Sequence, residues 1–141
     1  MNDACLFCRI IAKEIPAEVV YENDQVLAFL DINPIIKGHV LLIPKFHCEQ
    51  LLDLPTGYFE PLMAGAKQIA MAQIKALGAD GVNWMQNNGT AAGQEIFHFH
   101  IHLIPRFVDD GHRWNWNTVS YGDELPIEEM ATSIRKSIVH E

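Results

Sequence analysis

Residues 98–104 read His98-Phe99-His100-Ile101-His102-Leu103-Ile104, and this strict alternation limits the fold more than any other stretch of the chain. In an extended strand, successive side chains point to opposite faces. The three imidazoles then share one face, spaced about 6.5–7 Å along the strand. Phe99, Ile101 and Leu103 line the other face and enter a core. Three titratable rings gain little from packing in a purely structural strand. The segment therefore either binds a metal or handles a charged substrate. One ion does not readily collect all three from a flat strand, because the outer pair is about 13 Å apart at Cα.

The remaining elements follow from spacing. Leu6 to Lys13 has helical periodicity, ended at Ile15-Pro16. Glu18 to Tyr21 and Gln25 to Asp31 read as strands around the polar turn Glu22-Asn23-Asp24. Lys37-Gly38 leads into a third strand, His39 to Ile43, stopped by Pro44. Apolar residues at Leu62, Ala66, Ile69, Ala70, Ile74 and Leu77 predict an amphipathic helix over 57–77, with Gly78 just past its end. Val82 to Gln86 is a fourth strand, 87–93 a glycine-containing loop, and Ile96 to Ile104 a fifth strand ended by Pro105. A short helix follows from Pro126 to Ile138. Meander-like strands with one long inserted helix predict an α+β fold on an antiparallel sheet.

Length and charge narrow the function classes. A chain of 141 residues makes one domain with a real core, here expected over 1–141 with its centre at about 5–107 and an extension at 108–141. With 49% hydrophobic and 20% charged residues the chain is not disordered. No apolar run reaches the roughly 18 residues of a membrane span, and the N-terminus lacks signal-peptide features. A cytoplasmic location is expected. A net charge of −8 argues against nucleic acid and anionic membranes as partners. Cys5 and Cys8 form a C-x-x-C that is half a zinc site, a redox pair or two buried thiols. Cys48 reads as a small packing residue.

Four blocks carry a family resemblance. His98 to Ile104 matches the His-φ-His-φ-His-φ-φ signature (φ, apolar) of the histidine triad (HIT) superfamily. Asp31-Ile32-Asn33-Pro34 with Gly38 to Lys45 resembles its upstream block, Cys5 to Ile11 with Glu14-Ile15-Pro16 its N-terminus, and Asn87 to Gln94 the loop before the triad. The blocks occur in the expected order and cover residues 5 to about 107. The chain is most similar to the Hint branch, especially its small bacterial members. That resemblance implies the HIT fold: a five-stranded antiparallel sheet, one long and one short helix, and a C-terminal tail.

It also implies nucleotidyl transfer to water. The middle histidine, here His100, attacks the α-phosphorus of a nucleoside 5′-phosphate derivative, such as a phosphoramidate, and water cleaves the nucleotidyl-histidine. His102 matches the third triad histidine at the phosphate, and His39 an upstream histidine behind the nucleophile. His98 completes the triad. Asn87 matches a phosphate-side amide, and Asp31 the carboxylate that accepts from the ribose hydroxyls. Leu6, Phe7, Ile10 and Phe29 match the apolar walls of a purine pocket. Gln94 and Glu95 border the leaving-group side, and Glu95 stands where Hint proteins commonly have serine.

Some bacterial relatives carry a structural zinc, and Cys5, Cys8, His47 and His98 would supply its Cys₂His₂ set. Zinc then takes His98 for structure, and catalysis needs no cofactor. The family pairs as a homodimer, and Ala64, Ala66, Ala70 and Ala72 give the long helix a small apolar surface for close approach. Trp114 and Trp116 are candidate interface aromatics in the tail. Two rival readings stay open: hydrolysis of dinucleoside polyphosphates, as in the Fhit branch, and a non-catalytic scaffold that binds purine nucleotides.

Overall fold

The computed structural model describes residues 2–113 and 116–139, so Trp114 lies outside the described residues. The chain divides into two units, Met1–Asp110 and Gly111–Glu141. The first holds the short helix α1 (Leu6–Ile11), strands β1 (Val19–Glu22), β2 (Val26–Leu30) and β3 (Val40–Pro44), the long helix α2 (Phe59–Leu77), and strands β4 (Gly81–Met85) and β5 (Ile101–Arg106). The second holds α3 (Ile127–Ser137), with Glu128 and Glu129 in its first turn and Arg135 and Lys136 in its last. That order of charge complements the helix dipole.

All strand pairs are antiparallel, in the spatial order β1-β2-β3-β5-β4. The centre of the sheet is buried on both faces, which explains why β2 and β3 are continuously apolar rather than alternating. Val26, Ala28, Val40, Leu42, Ile101 and Leu103 face one core with α2. Leu27, Phe29, Leu41 and Ile43 face the other with Phe7 and Cys8 of α1.

Helix α2 turns Leu62, Ala66 and Ile69 inward as the pattern predicts, but not its last two apolar positions. Leu62, Gly65, Ala66, Ile69 and Gln73 are buried, whereas Ile74 and Leu77 are exposed. Gln73 is inside because its Nε2 donates to the carbonyls of Gly38 and Leu103, both at 2.9 Å, tying α2 to the sheet. Ala66 packs on the chain's own sheet and is unavailable to a partner helix. Gly78 ends α2 with a left-handed backbone, φ 69°, a conformation that favours glycine.

Most strand boundaries differ from the sequence expectation by one residue, and β5 differs by more. Pro44 and Pro105 lie within strands rather than stopping them. The β3–β5 pairing runs only from Val40↔Leu103 to Leu42↔Ile101. At each proline the strand has a partner on one side only, where a missing N–H is tolerated. Strand β5 also starts at Ile101 instead of Ile96, so His98 and His100 precede the ladder.

Candidate functional site

A cavity of about 460 Å³ opens on the α1 side of the sheet. Its floor is one cross-sheet row: Phe29 opposes Leu41, Leu41 opposes His102, and His102 opposes Met85. Register places all four side chains on one face. Leu6, Phe7 and Ile10 of α1 form a wall. The Phe7 ring sits edge-on to Phe29 and His100, with centroids 5.4 and 5.3 Å away. Asp31 after β2 and the loop after β4, with Asn87, Gly93 and Glu95, border the cavity on opposite sides of β5.

Hydrogen-bond partners set the histidine tautomers. His100 Nδ1 lies 2.7 Å from the His98 carbonyl, which can only accept. The Nδ1 proton is thereby fixed, and Nε2 keeps its lone pair. His39 Nδ1 accepts from the Ile35 N–H at 3.2 Å, so its proton is on Nε2, 2.9 Å from His102 Nδ1. His102 consequently carries its proton on Nε2. Two backbone groups, the His98 carbonyl and the Ile35 N–H, thus give the cavity one imidazole with a free lone pair and one with a free N–H.

Burial keeps these rings neutral. Desolvation pulls His39 and His100 below the usual histidine range, and Asp31 partly opposes it in both. His102 falls to about 4 through burial, with His100 and His39 adding to the effect. Asp31 itself accepts from Asn33 N–H at 2.8 Å and lies 3.8 Å from His39 Nε2.

His98 belongs to a different cluster. It is fully buried, and its Nε2 donates to the Pro44 carbonyl at 2.9 Å. Its Nδ1 lies 3.4 Å from Cys5 Sγ, 3.6 Å from Cys8 Sγ and 3.3 Å from His47 Nδ1, and Cys8 Sγ lies 3.3 Å from His47 Nδ1. The edges of a tetrahedral zinc site with two sulfur and two nitrogen ligands are about 3.3–3.8 Å. Four donors within 4.8 Å of one another, two of them soft, therefore fit zinc. The Pro44 contact leaves His98 Nδ1 free to ligate, the usual outer support of a metal-bound histidine.

The structure brings Asp31, Asn87, Glu95, His100, His102, Leu6, Phe7, Ile10 and Phe29 to the cavity. His39 and Gln94 stand behind it. Gln94 is buried and holds the loop, accepting from Gly89 N–H at 2.8 Å and donating to the Glu49 carbonyl at 2.7 Å. Leu41 and Met85 were not legible as site residues. Their strands lack a polar/apolar alternation centred on them, and only the register with His102 identifies them.

A family model of the HIT domain matches residues 12–109. An uncharacterized HIT-like protein of Methanocaldococcus jannaschii is 50% identical over 133 residues, 93% of this chain and 98% of the relative. An adenosine 5′-monophosphoramidase of Saccharomyces cerevisiae and an adenylylsulfatase of Arabidopsis thaliana are each 44% identical over 75% of this chain, covering 65% and 54% of the relative. Among solved structures, a HIT family member from Bacillus subtilis superposes with a TM-score of 0.89 at 38% identity, over 99% of this chain and 100% of that one. A zinc-bound histidine triad family protein from Mycobacterium smegmatis gives 0.75 at 35% identity, over 92% and 88%.

Proposed function

The chain belongs to the HIT domain family, and from that premise we propose that it is a nucleotide hydrolase acting on nucleoside 5′-phosphoramidates through His100. The observation that carries this reading is the 2.7 Å contact from His100 Nδ1 to the His98 carbonyl. It directs a neutral lone pair on Nε2 to the cavity. A neutral imidazole is a competent nucleophile near pH 7.

In the first step, His100 Nε2 forms a bond to the α-phosphorus and the P–N bond of the substrate breaks. The amine leaves with that electron pair and takes a proton from water. In the second step, water attacks the phosphorus and the bond to Nε2 breaks, its pair returning to the ring. The water releases its proton, and the products are a nucleoside monophosphate and an amine. His102 Nε2–H donates to a nonbridging phosphate oxygen and offsets charge as it develops there. His39 holds His102 in that tautomer. Asn87 lies on the phosphate side, Asp31 accepts from the ribose, and Leu6, Phe7, Ile10 and Phe29 hold a purine.

Cys5, Cys8, His47 and His98 would hold a structural zinc ion, whose chemistry is to cross-link α1 to the segments around residues 47 and 98. With four protein ligands such a site is closed and has no open position for substrate. A homodimer and a cytoplasmic location complete the reading.

Incubation with adenosine 5′-phosphoramidate and with diadenosine polyphosphates, following AMP release, tests it. The phosphoramidate is the preferred substrate, and His100→Ala lowers its turnover on the order of a thousandfold or more. Preference for the polyphosphate, or AMP binding without release from either, overturns it.

A further inference from the structure

We infer that Glu95 makes the site select substrates by the charge of the leaving group, favouring amines that carry a positive charge and rejecting anionic groups. This deepens the nucleotidyl-transfer reading and rests on it.

The charges around the cavity are one-sided. Among the described residues, its lining contains no Lys or Arg, the imidazoles of His100 and His102, and two acidic residues, Asp31 and Glu95. A site built for a polyphosphate chain needs fixed cations or a metal to balance several negative charges. This lining offers none.

The two acidic residues differ in what they already hold. Asp31 is engaged with Asn33 N–H and faces His39. Glu95 is exposed and forms no hydrogen bond or ion pair with any described residue. Its backbone is nevertheless fixed, because the preceding Gln94 is buried and bonds Gly89, Glu49 and Ile96. An acidic side chain without a partner among the described residues thus stands at the cavity edge, next to the loop's buried anchor Gln94.

Its position assigns it to the leaving group. In the order β2-β3-β5-β4, Asp31 follows β2 and Glu95 lies on the loop leaving β4, with His100 and His102 between them. A nucleotide whose ribose reaches Asp31 and whose phosphorus reaches His100 extends its remaining substituent toward Asn87 and Glu95. Relatives named for a monophosphoramidase and an adenylylsulfatase act on leaving groups of opposite character, an amine and an anion. Charge is the property on which this site would separate them.

Water screens an exposed carboxylate, so the effect is moderate: about three- to tenfold per unit of leaving-group charge. The test uses three adenosine 5′-phosphoramidates of similar size, N-linked to a diamine with a terminal ammonium, an amino alcohol, and an amino acid with a terminal carboxylate. The readout is kcat/KM for AMP release. The expected order is diamine, amino alcohol, amino acid. Glu95→Gln compresses the ratio between the extremes to about threefold or less, while Glu60→Gln, an exposed acid on the first turn of α2, leaves that ratio as in the wild type.

The wild type alone gives a second arm, because 1 M salt shortens the screening length to about 3 Å and shrinks the ratio. A flat or reversed order, a ratio unchanged in Glu95→Gln, or a ratio insensitive to salt overturns the proposal while leaving the hydrolase reading intact. Release of AMP from none of the three removes the hydrolase reading, and this proposal with it.

Discussion

His39 and His102 are coupled by one 2.9 Å hydrogen bond, and burial holds both below the usual histidine range. The sign of the resulting pH effect follows from which state binds the proton. His102 titrates near 6.5 when unfolded and near 4 when folded. Between those values the unfolded chain takes up a proton that the folded chain refuses. The stability is complete above about pH 6.5 and falls as pH drops toward 4, with a limiting slope of about 1.4 kcal/mol per pH unit for each such histidine. Urea unfolding near pH 7 and pH 5 checks this. The wild type loses more stability over that interval than His102→Asn, and equal losses contradict the assignment. The tautomer chain itself was not legible in the sequence. Alternation puts three histidines on one face, but the proton positions depend on the Ile35 N–H and the His98 carbonyl, which no side-chain pattern encodes.

At the scale of elements, α1 is the part that most needs help. Six residues are too few for a helix to be stable alone. Phe7 packs on Phe29, and the two cysteines meet His47 and His98. The same short helix supplies Leu6, Phe7 and Ile10 to the cavity wall. Metal removal is therefore expected to act on substrate binding through α1. Cys8→Ser loses bound zinc, melts about 10 °C lower, equivalent to roughly 3 kcal/mol at this chain length, and raises KM more than it lowers kcat. A variant with full metal content, or an unchanged KM after metal loss, contradicts that coupling. Element types were legible because α2 has a long apolar period and the strands are short apolar runs set between polar turns and glycines. The start of β5 was not, because His100 Nδ1 takes the His98 carbonyl and the Phe99 N–H goes to the Cys48 carbonyl at 2.7 Å. These bonds replace the ladder that the alternation predicts.

At the scale of the molecule, the family was legible because four separated blocks converge on one cavity and one four-donor cluster. The surface was less so. With Ala66 committed to the core, α2 still presents Phe59, Met63, Ile74 and Leu77 on one exposed face. These large side chains stand on the outside of α2 together with the unburied Ala64, Ala70 and Ala72. A second copy covering this face predicts a solution mass of twice 15.9 kDa by sedimentation equilibrium, reduced toward one chain by Met63→Glu with Ile74→Glu. A wild-type mass of one chain at tens of micromolar contradicts it. In the proposed reaction the nucleotide is carried on His100 Nε2. Rapid acid-free quenching during turnover of adenosine 5′-phosphoramidate, followed by intact-protein and peptide mass spectrometry, reads this directly. One adenylyl group on His100, absent in His100→Ala, is the predicted result. Turnover with no adduct that persists in His100→Ala, or an adduct on His102, would contradict it.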